Sequence, residues 1–399
     1  MSEEEIPEQG NRDMIASIED ALTSALESND LQRAAKRARQ LAELRCGSRW
    51  YPRRPPRLRH SLPIEAPVDI TAAKLRHDSL QFKYLQYRGV LGKEFSPVIE
   101  EYEALVEEIA AQGITRVPYD PGRHSRIKHV YNRIIHIRET PRVINALSSE
   151  WDSAQVESQY HEHAPGLVVI DNFLSREALE GLRLFCLEST VWSSTRYAHG
   201  RLGAFFWNGF NCPLLIQIAE ELRQRLPRLL HNLYPLQQLW GFKCEPELPA
   251  DSTNHADFAA VNVNFWLTPD DANRDTSSGG MVVYDVEAPL SWDFYTYNGN
   301  DHVIKPFLHQ QEARGTVIPY RQNRAIIFNS DLFHATDAVR FHSGYENRRI
   351  NVTLLYGDRC DDTQHRDIRT EAPEIHQTTT LPAWKSAVWH WGNLSRFRG

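Results

Sequence analysis

At 399 residues the chain is long enough for a sizeable core and predicts two or three structural units. Its 41% hydrophobic and 24% charged residues exclude a disordered or membrane class, and a net charge of -7 gives no global pull toward nucleic acid. No uninterrupted apolar run reaches the roughly 18 residues a bilayer span needs, and the polar start MSEEEIPEQGNRD reads as neither signal nor transit peptide. The five cysteines, Cys46, Cys186, Cys212, Cys244 and Cys360, lie far apart without a CxxC pair, so neither a disulfide framework nor a thiolate zinc site is expected; a reducing cytoplasm fits.

In chain order, Ile15, Ile18, Leu22 and Leu26 fall at helical spacing, and Leu31, Ala34, Ala35, Ala38 and Leu41 repeat the pattern after the polar break Ser28-Asn29-Asp30. RWYPRRPPRLRH (Arg49 to His60) is too rich in proline for a helix and reads as an extended linker, solvated or packed on acidic helices, with an acidic partner or RNA as the alternative. Helices resume over 72–88 and from Ser96, an expected N-cap with Pro97 behind it, to a stop at Gly113. GLVVIDNFL (Gly166 to Leu174) is a strand, after which Ser175 caps a helix to about Leu187. Short strands follow from Trp192, interrupted by an amphipathic helix near 213–226, an order that predicts an antiparallel sandwich or barrel with helices outside. The expected division is a helical region over 1–150, a barrel over 164–358, and a tail over 359–399 whose Trp384, Trp389 and Trp391 pack on the core.

Chemistry concentrates in the barrel. His255-Ala256-Asp257 puts an imidazole and a carboxylate at i and i+2, on one face of an extended chain. A second histidine is expected from His334, which ends the apolar run NRAIIFNSDLFH; His302, His309 and His342 compete with it but do not close a strand at this place. Two histidines and one carboxylate form the facial set of non-haem iron(II) oxygenases, leaving positions open for cosubstrate and dioxygen. Downstream, ENRRINVTLLYG (Glu346 to Gly357) puts Arg349, Asn351 and Thr353 on one face of a strand and Arg348 on the other. An arginine buried inside a barrel needs an anion, because its guanidinium cannot lose its charge.

His255-Ala256-Asp257, the histidine of FNSDLFH and the strand RRINVTLLYG resemble the 2-oxoglutarate and iron(II)-dependent dioxygenase superfamily, nearest its prolyl-hydroxylase-like branch, over roughly Gly166 to Gly357. The resemblance implies an α+β protein built on a double-stranded β-helix, a cupin-like jelly-roll. It implies iron(II) held by His255, Asp257 and His334, Arg349 as anchor of the 2-oxoglutarate carboxylate with Asn264 and Asn351 as further cosubstrate contacts, dioxygen as oxidant and ascorbate as accessory reductant. Family members that halogenate lack a coordinating residue where Asp257 stands, so the expected reaction is hydroxylation, or demethylation through an N-methyl carbon. The strand LWGFKCEPEL lacks the tyrosine of close prolyl-hydroxylase relatives, so a prolyl substrate is not implied.

Several readings stay open at this level. Asn262 and Asn264, which alternate with Val261, Val263 and Phe265, are either satisfied core amides or ligand contacts. Gly279-Gly280 is expected as a turn or bulge, His161 to His163 as structural, and WDFYTYNGNDH (Trp292 to His302), within the 76 residues separating Asp257 from His334, as a lid or substrate loop. The substrate is a protein side chain or a small metabolite such as an amino acid. A metal-binding jelly-roll without redox turnover, acting as sensor or scaffold, is the alternative from another class. The sequence carries no clear signal for nucleic acid, membrane or oligomeric state.

Overall fold

The computed structural model describes residues 8–46, 69–162, 166–197, 200–230, 234–250 and 254–359. The Arg- and Pro-rich stretch at 49–60, His163 and the expected C-terminal tail from 360 onward lie outside the described residues.

The first helices, α1 (Glu8–Glu27) and α2 (Leu31–Cys46), meet at the expected break, where Asn29 takes a left-handed φ of 56° and Asp30 accepts the Arg33 N–H at 3.0 Å. On α2, Ala34, Ala35 and Ala38 are wholly buried. Small side chains let this helix lie close to the barrel turn at 206–208, so the pair shares the barrel's core rather than forming a lobe of its own. A short ribbon, β1 (Asp69–Thr71) with β2 (Arg116–Pro118), brackets α3 (Ala72–Tyr87) and α4 (Ser96–Ala111) around a second core of Phe82, Phe95, Tyr102 and Tyr131. Ser96 is the first residue of α4 rather than its cap, because a 3-10 turn at Lys93–Phe95 runs straight into the helix. Gly113 ends this segment at φ 67°.

Next come α5 (Ser153–Glu162), β3 (Leu167–Ile170), α6 (Arg176–Glu188), β4 (Ser194–Tyr197), β5 (Arg201–Phe205), α7 (Pro213–Arg225), α8 (Pro227–Leu230) and β6 (Leu236–Cys244). Ser175 caps α6 by accepting the Ala178 N–H. The chain continues through β7 (Glu247–Leu248), β8 (Val261–Trp266), β9 (Met281–Glu287), α9 (Phe294–Tyr297), α10 (Asp301–Gln310), β10 (Gly315–Ile318), β11 (Ala325–Asn329), β12 (Leu332–Thr336), β13 (Val339–Arg340) and β14 (Ile350–Tyr356). Seven strands form one antiparallel sheet in the order β3-β11-β8-β14-β6-β5-β4; β10-β9-β12 form a second, and β13 pairs with β7.

Strand alternation sorts the large sheet's faces. Val263, Phe265, Ile327, Val352 and Leu354 point into the core beneath the helices, whereas Trp266, Ile326 and Phe328 meet Met281, Val283, Ile318 and Leu332 of the small sheet. Two facing antiparallel sheets with helices on the outer face of one make the expected α+β jelly-roll. Along the inner face the apolar filling gives way to Asn262, Asn264, Arg349, Asn351 and Thr353, all buried.

Candidate active site

His255 and His334 face each other across an antiparallel bridge. The His255 N–H donates to the His334 carbonyl at 3.1 Å and the His334 N–H to the His255 carbonyl at 2.8 Å, which sets their rings side by side with centroids 4.3 Å apart. Asp257 leaves the chain on the same side, its N–H held by the Ser330 carbonyl at 3.0 Å. The donor atoms of His255, Asp257 and His334 all lie within 4.8 Å of one another, and His334 Nε2 is 3.5 Å from Asp257 Oδ2. His334 Nδ1 sits 2.9 Å from the Leu332 carbonyl; a carbonyl only accepts, so Nδ1 carries a proton and Nε2 is the atom turned toward Asp257. Two imidazoles and a carboxylate converging in this way fit a divalent iron and leave one side open. The competing histidines, His302, His309 and His342, are exposed on the surface.

These three donors line a pocket together with Arg201, Trp240, Phe242, Cys244, Asn262, Asn264, Met281, Thr336, Arg349, Asn351 and Thr353. Arg349 is 2% exposed. Its Nε donates to the Gly279 carbonyl at 2.6 Å, Nη2 to the Gly280 carbonyl at 3.1 Å and Nη1 to Asn351 Oδ1 at 3.0 Å, all uncharged acceptors. Burial pulls its pKa down from the ordinary arginine value, against the opposing pull of Cys244 and Tyr320, so the pocket holds a cation at an electrostatic cost. A guanidinium has five N–H donors, and the Cys244 side chain takes part beside these three bonds. Arg348 is also buried, but its Nη1 approaches the Cys244 carbonyl at 3.5 Å and it does not line the pocket.

All six expected site residues therefore meet in one place, with distinct roles. Asn351 orients Arg349. Asn264 gives Nδ2 to Thr353 Oγ1 at 2.8 Å, leaving its buried Oδ1 without a partner. Turning the amide over would let the Thr353 hydroxyl donate and would aim the N–H groups elsewhere, so Asn264 can serve a ligand as acceptor or donor. Asn262 gives Nδ2 to Asp257 Oδ2 at 2.9 Å.

Arg201, Trp240 and Phe242 were not foreseen as site residues, although the alternation Trp240, Phe242, Cys244 marks one face of β6. Gly279 and Gly280 are more than a turn, because their carbonyls hold the arginine. At Gly280 a Cβ would stand 1.9 Å from the Ile318 carbonyl oxygen, so the close approach of β10 requires glycine. In the segment expected as a lid or substrate loop, Trp292 to His302, Phe294 and Tyr297 are buried while Tyr295 is exposed, and Trp292 meets Phe307 at a tilt with ring centroids 4.9 Å apart.

No family model and no curated protein matches the chain. Among solved structures, the chain is similar to a non-haem α-ketoglutarate-dependent carbocyclase of nogalamycin biosynthesis, at 14% identity over 54% of this chain and 87% of the other, with a TM-score of 0.37. It is also similar to a prolyl-4-hydroxylase from Pseudomonas putida (14% identity, 51% and 98%, TM-score 0.32). A further match is an oxidoreductase of the 2OG-Fe(II) oxygenase family from Burkholderia pseudomallei (13% identity, 56% and 99%, TM-score 0.33). Overlap this partial carries no functional argument; the chemistry rests on the side chains.

Proposed function

We propose that this chain is an iron(II)- and 2-oxoglutarate-dependent oxygenase that hydroxylates an unactivated C–H bond. The observation that carries the reading is the buried Arg349 guanidinium, which shares one pocket with the His255, Asp257 and His334 donors and donates to three uncharged acceptors. A metal site without a cosubstrate has no use for a buried cation, whereas the distal carboxylate of 2-oxoglutarate complements it through charge-assisted hydrogen bonds. This argues against the non-redox jelly-roll.

His255, Asp257 and His334 would hold the iron, and Arg349, oriented by Asn351 and the Gly279 and Gly280 carbonyls, would hold the distal carboxylate. Bound iron(II) with 2-oxoglutarate and dioxygen supplies an oxidative decarboxylation that yields succinate and carbon dioxide and delivers one oxygen atom to the substrate carbon, with ascorbate as accessory reductant. The chain's own part is to bind, orient and keep water out. Trp240, Phe242 and Met281 form the apolar wall of the pocket. The substrate class is a protein side chain or a small metabolite such as an amino acid. A cytoplasmic setting agrees with the three buried free thiols Cys186, Cys212 and Cys244; no helix among the described residues is long and apolar enough to cross a membrane.

Oxygenases of this kind turn over 2-oxoglutarate slowly without substrate, which supplies a test needing no substrate. Aerobic incubation of the chain with iron(II), ascorbate and 2-oxoglutarate is expected to release succinate, and His334→Ala is expected to release none. Equal succinate from both proteins would refute the reading.

A further inference from the structure

The insert between β9 and β10 is hydrogen-bonded to the loop that carries His255 and Asp257. Both backbone groups of Ala256, the middle residue of His255-Ala256-Asp257, are bonded to it: the Ala256 N–H donates to the Tyr297 carbonyl at 2.9 Å, and Asn298 Nδ2 donates to the Ala256 carbonyl at 2.7 Å. The same Asn298 Nδ2 lies 3.4 Å from Asp257 Oδ1. Since Asn262 reaches Oδ2 from the barrel side at 2.9 Å, each oxygen of the carboxylate has an amide donor, one from the jelly-roll and one from the insert. The terminal torsion of an aspartate is broad when free, and two donors on opposite oxygens narrow it to one setting.

The insert is itself fixed to both ligand-bearing segments. Phe294 packs on Phe258 with ring centroids 6.2 Å apart, and Trp292 and Phe307 each lie 6.1 Å from Phe333, the neighbour of His334. Arg359 closes the assembly: it pairs with Asp331, donates to the Ala288 carbonyl at 2.8 Å and lies 4.0 Å over the Tyr297 ring. It thereby ties the insert to the turn whose Ser330 carbonyl holds the Asp257 N–H.

We propose that the 288–310 insert sets the position of the carboxylate ligand through Asn298, so that metal affinity depends on this segment as well as on the three ligands. Asn298 is a positioning residue, acting through Asp257. The proposal rests on the metal-site reading above. Loss of a partner that orients a ligand typically weakens metal binding by about 10- to 100-fold.

The test is equilibrium titration of the full chain with cobalt(II) alone, followed through the visible d–d absorption of the bound ion, with melting temperature as the check on folding. Asn298→Ala and Asn298→Leu are expected to weaken cobalt binding by roughly 10- to 100-fold and to alter the d–d spectrum. Tyr295→Ala, at an exposed position on the same insert, is expected to bind within about twofold of wild type. Leucine keeps the branched heavy-atom outline of asparagine and lacks its hydrogen-bonding groups. Wild-type affinity in a folded Asn298→Leu protein would therefore overturn the proposal, and that variant decides alone if Asn298→Ala folds poorly. Failure of the wild-type chain to bind cobalt would instead sink the metal-site reading, and this proposal with it.

Discussion

Replacing Arg349 by methionine keeps much of the side chain's volume and removes the one cation that the pocket orients through three hydrogen bonds. A guanidinium–carboxylate contact typically makes two hydrogen bonds, and a hydrogen bond to a charged group contributes about 1.5–3 kcal/mol. Together they contribute about 3–6 kcal/mol, which at 1.4 kcal/mol per tenfold predicts a loss of roughly a hundred- to ten-thousand-fold in 2-oxoglutarate affinity. The fold should tolerate the change better than the count of lost bonds suggests. The Gly279 and Gly280 carbonyls and Asn351 each lose a donor, but the protein no longer buries a charge that desolvation disfavours. The assay is calorimetric titration of 2-oxoglutarate into the anaerobic iron(II)-loaded protein. Pyruvate, which keeps the 2-oxo acid but lacks the distal carboxylate, should bind wild type and variant alike. Retention of 2-oxoglutarate affinity within about threefold in Arg349→Met would refute the assignment of the anchor.

Asp257→Ala removes the only carboxylate among the described residues that line the pocket and should abolish iron(II) binding at concentrations that saturate the wild type, as measured by anaerobic equilibrium dialysis; undiminished binding would place the metal elsewhere. Gly280→Ala forces a Cβ against the Ile318 carbonyl and should cost about 1–3 kcal/mol in urea unfolding. It should also weaken 2-oxoglutarate binding, because the Gly280 carbonyl orients Arg349; unchanged stability would show that the β9–β10 approach relaxes freely. Lys243 is fully buried, with Nζ bonded to the Cys186 carbonyl and Tyr345 hydroxyl at 2.9 Å each, and burial holds its amine well below the ordinary lysine value. Above that depressed value the folded state binds fewer protons than the unfolded chain, so wild-type stability should rise with pH toward the unfolded lysine value of about 10.4. Lys243→Met should flatten this rise on the alkaline side, below the unfolded lysine value of about 10.4; parallel stability profiles for the two proteins would contradict the lowered lysine pKa.

The metal set was legible because its geometry is local: alternation on an extended chain puts His255 and Asp257 on one face, and His334 closes an apolar strand. Arg349 was legible for the same reason, since its strand separates it from Arg348 by face. What the sequence withheld depends on contacts across long separations. Nothing in Gly279-Gly280 announces that its carbonyls hold an arginine 70 residues on, and nothing in WDFYTYNGNDH foretells its hydrogen bonds to the loop that carries His255 and Asp257. The alanine face of α2 predicted a helix pair, but not that small side chains would let it share the barrel's core. Arg201 gave no signal because its neighbours Leu202 and Ala204 mark a buried strand without saying which pocket its inner face lines.

The central claim is that His255, Asp257, His334 and Arg349 form one site for iron(II) and 2-oxoglutarate. Anaerobic addition of both to metal-free protein tests it most directly, through the visible charge-transfer band that iron(II) gives with a chelating 2-oxo acid. The account predicts a band in the wild type, its loss in His334→Ala, and a band in Arg349→Met only at much higher 2-oxoglutarate concentration. A folded wild-type protein that gives no band at saturating iron(II) and 2-oxoglutarate would contradict it.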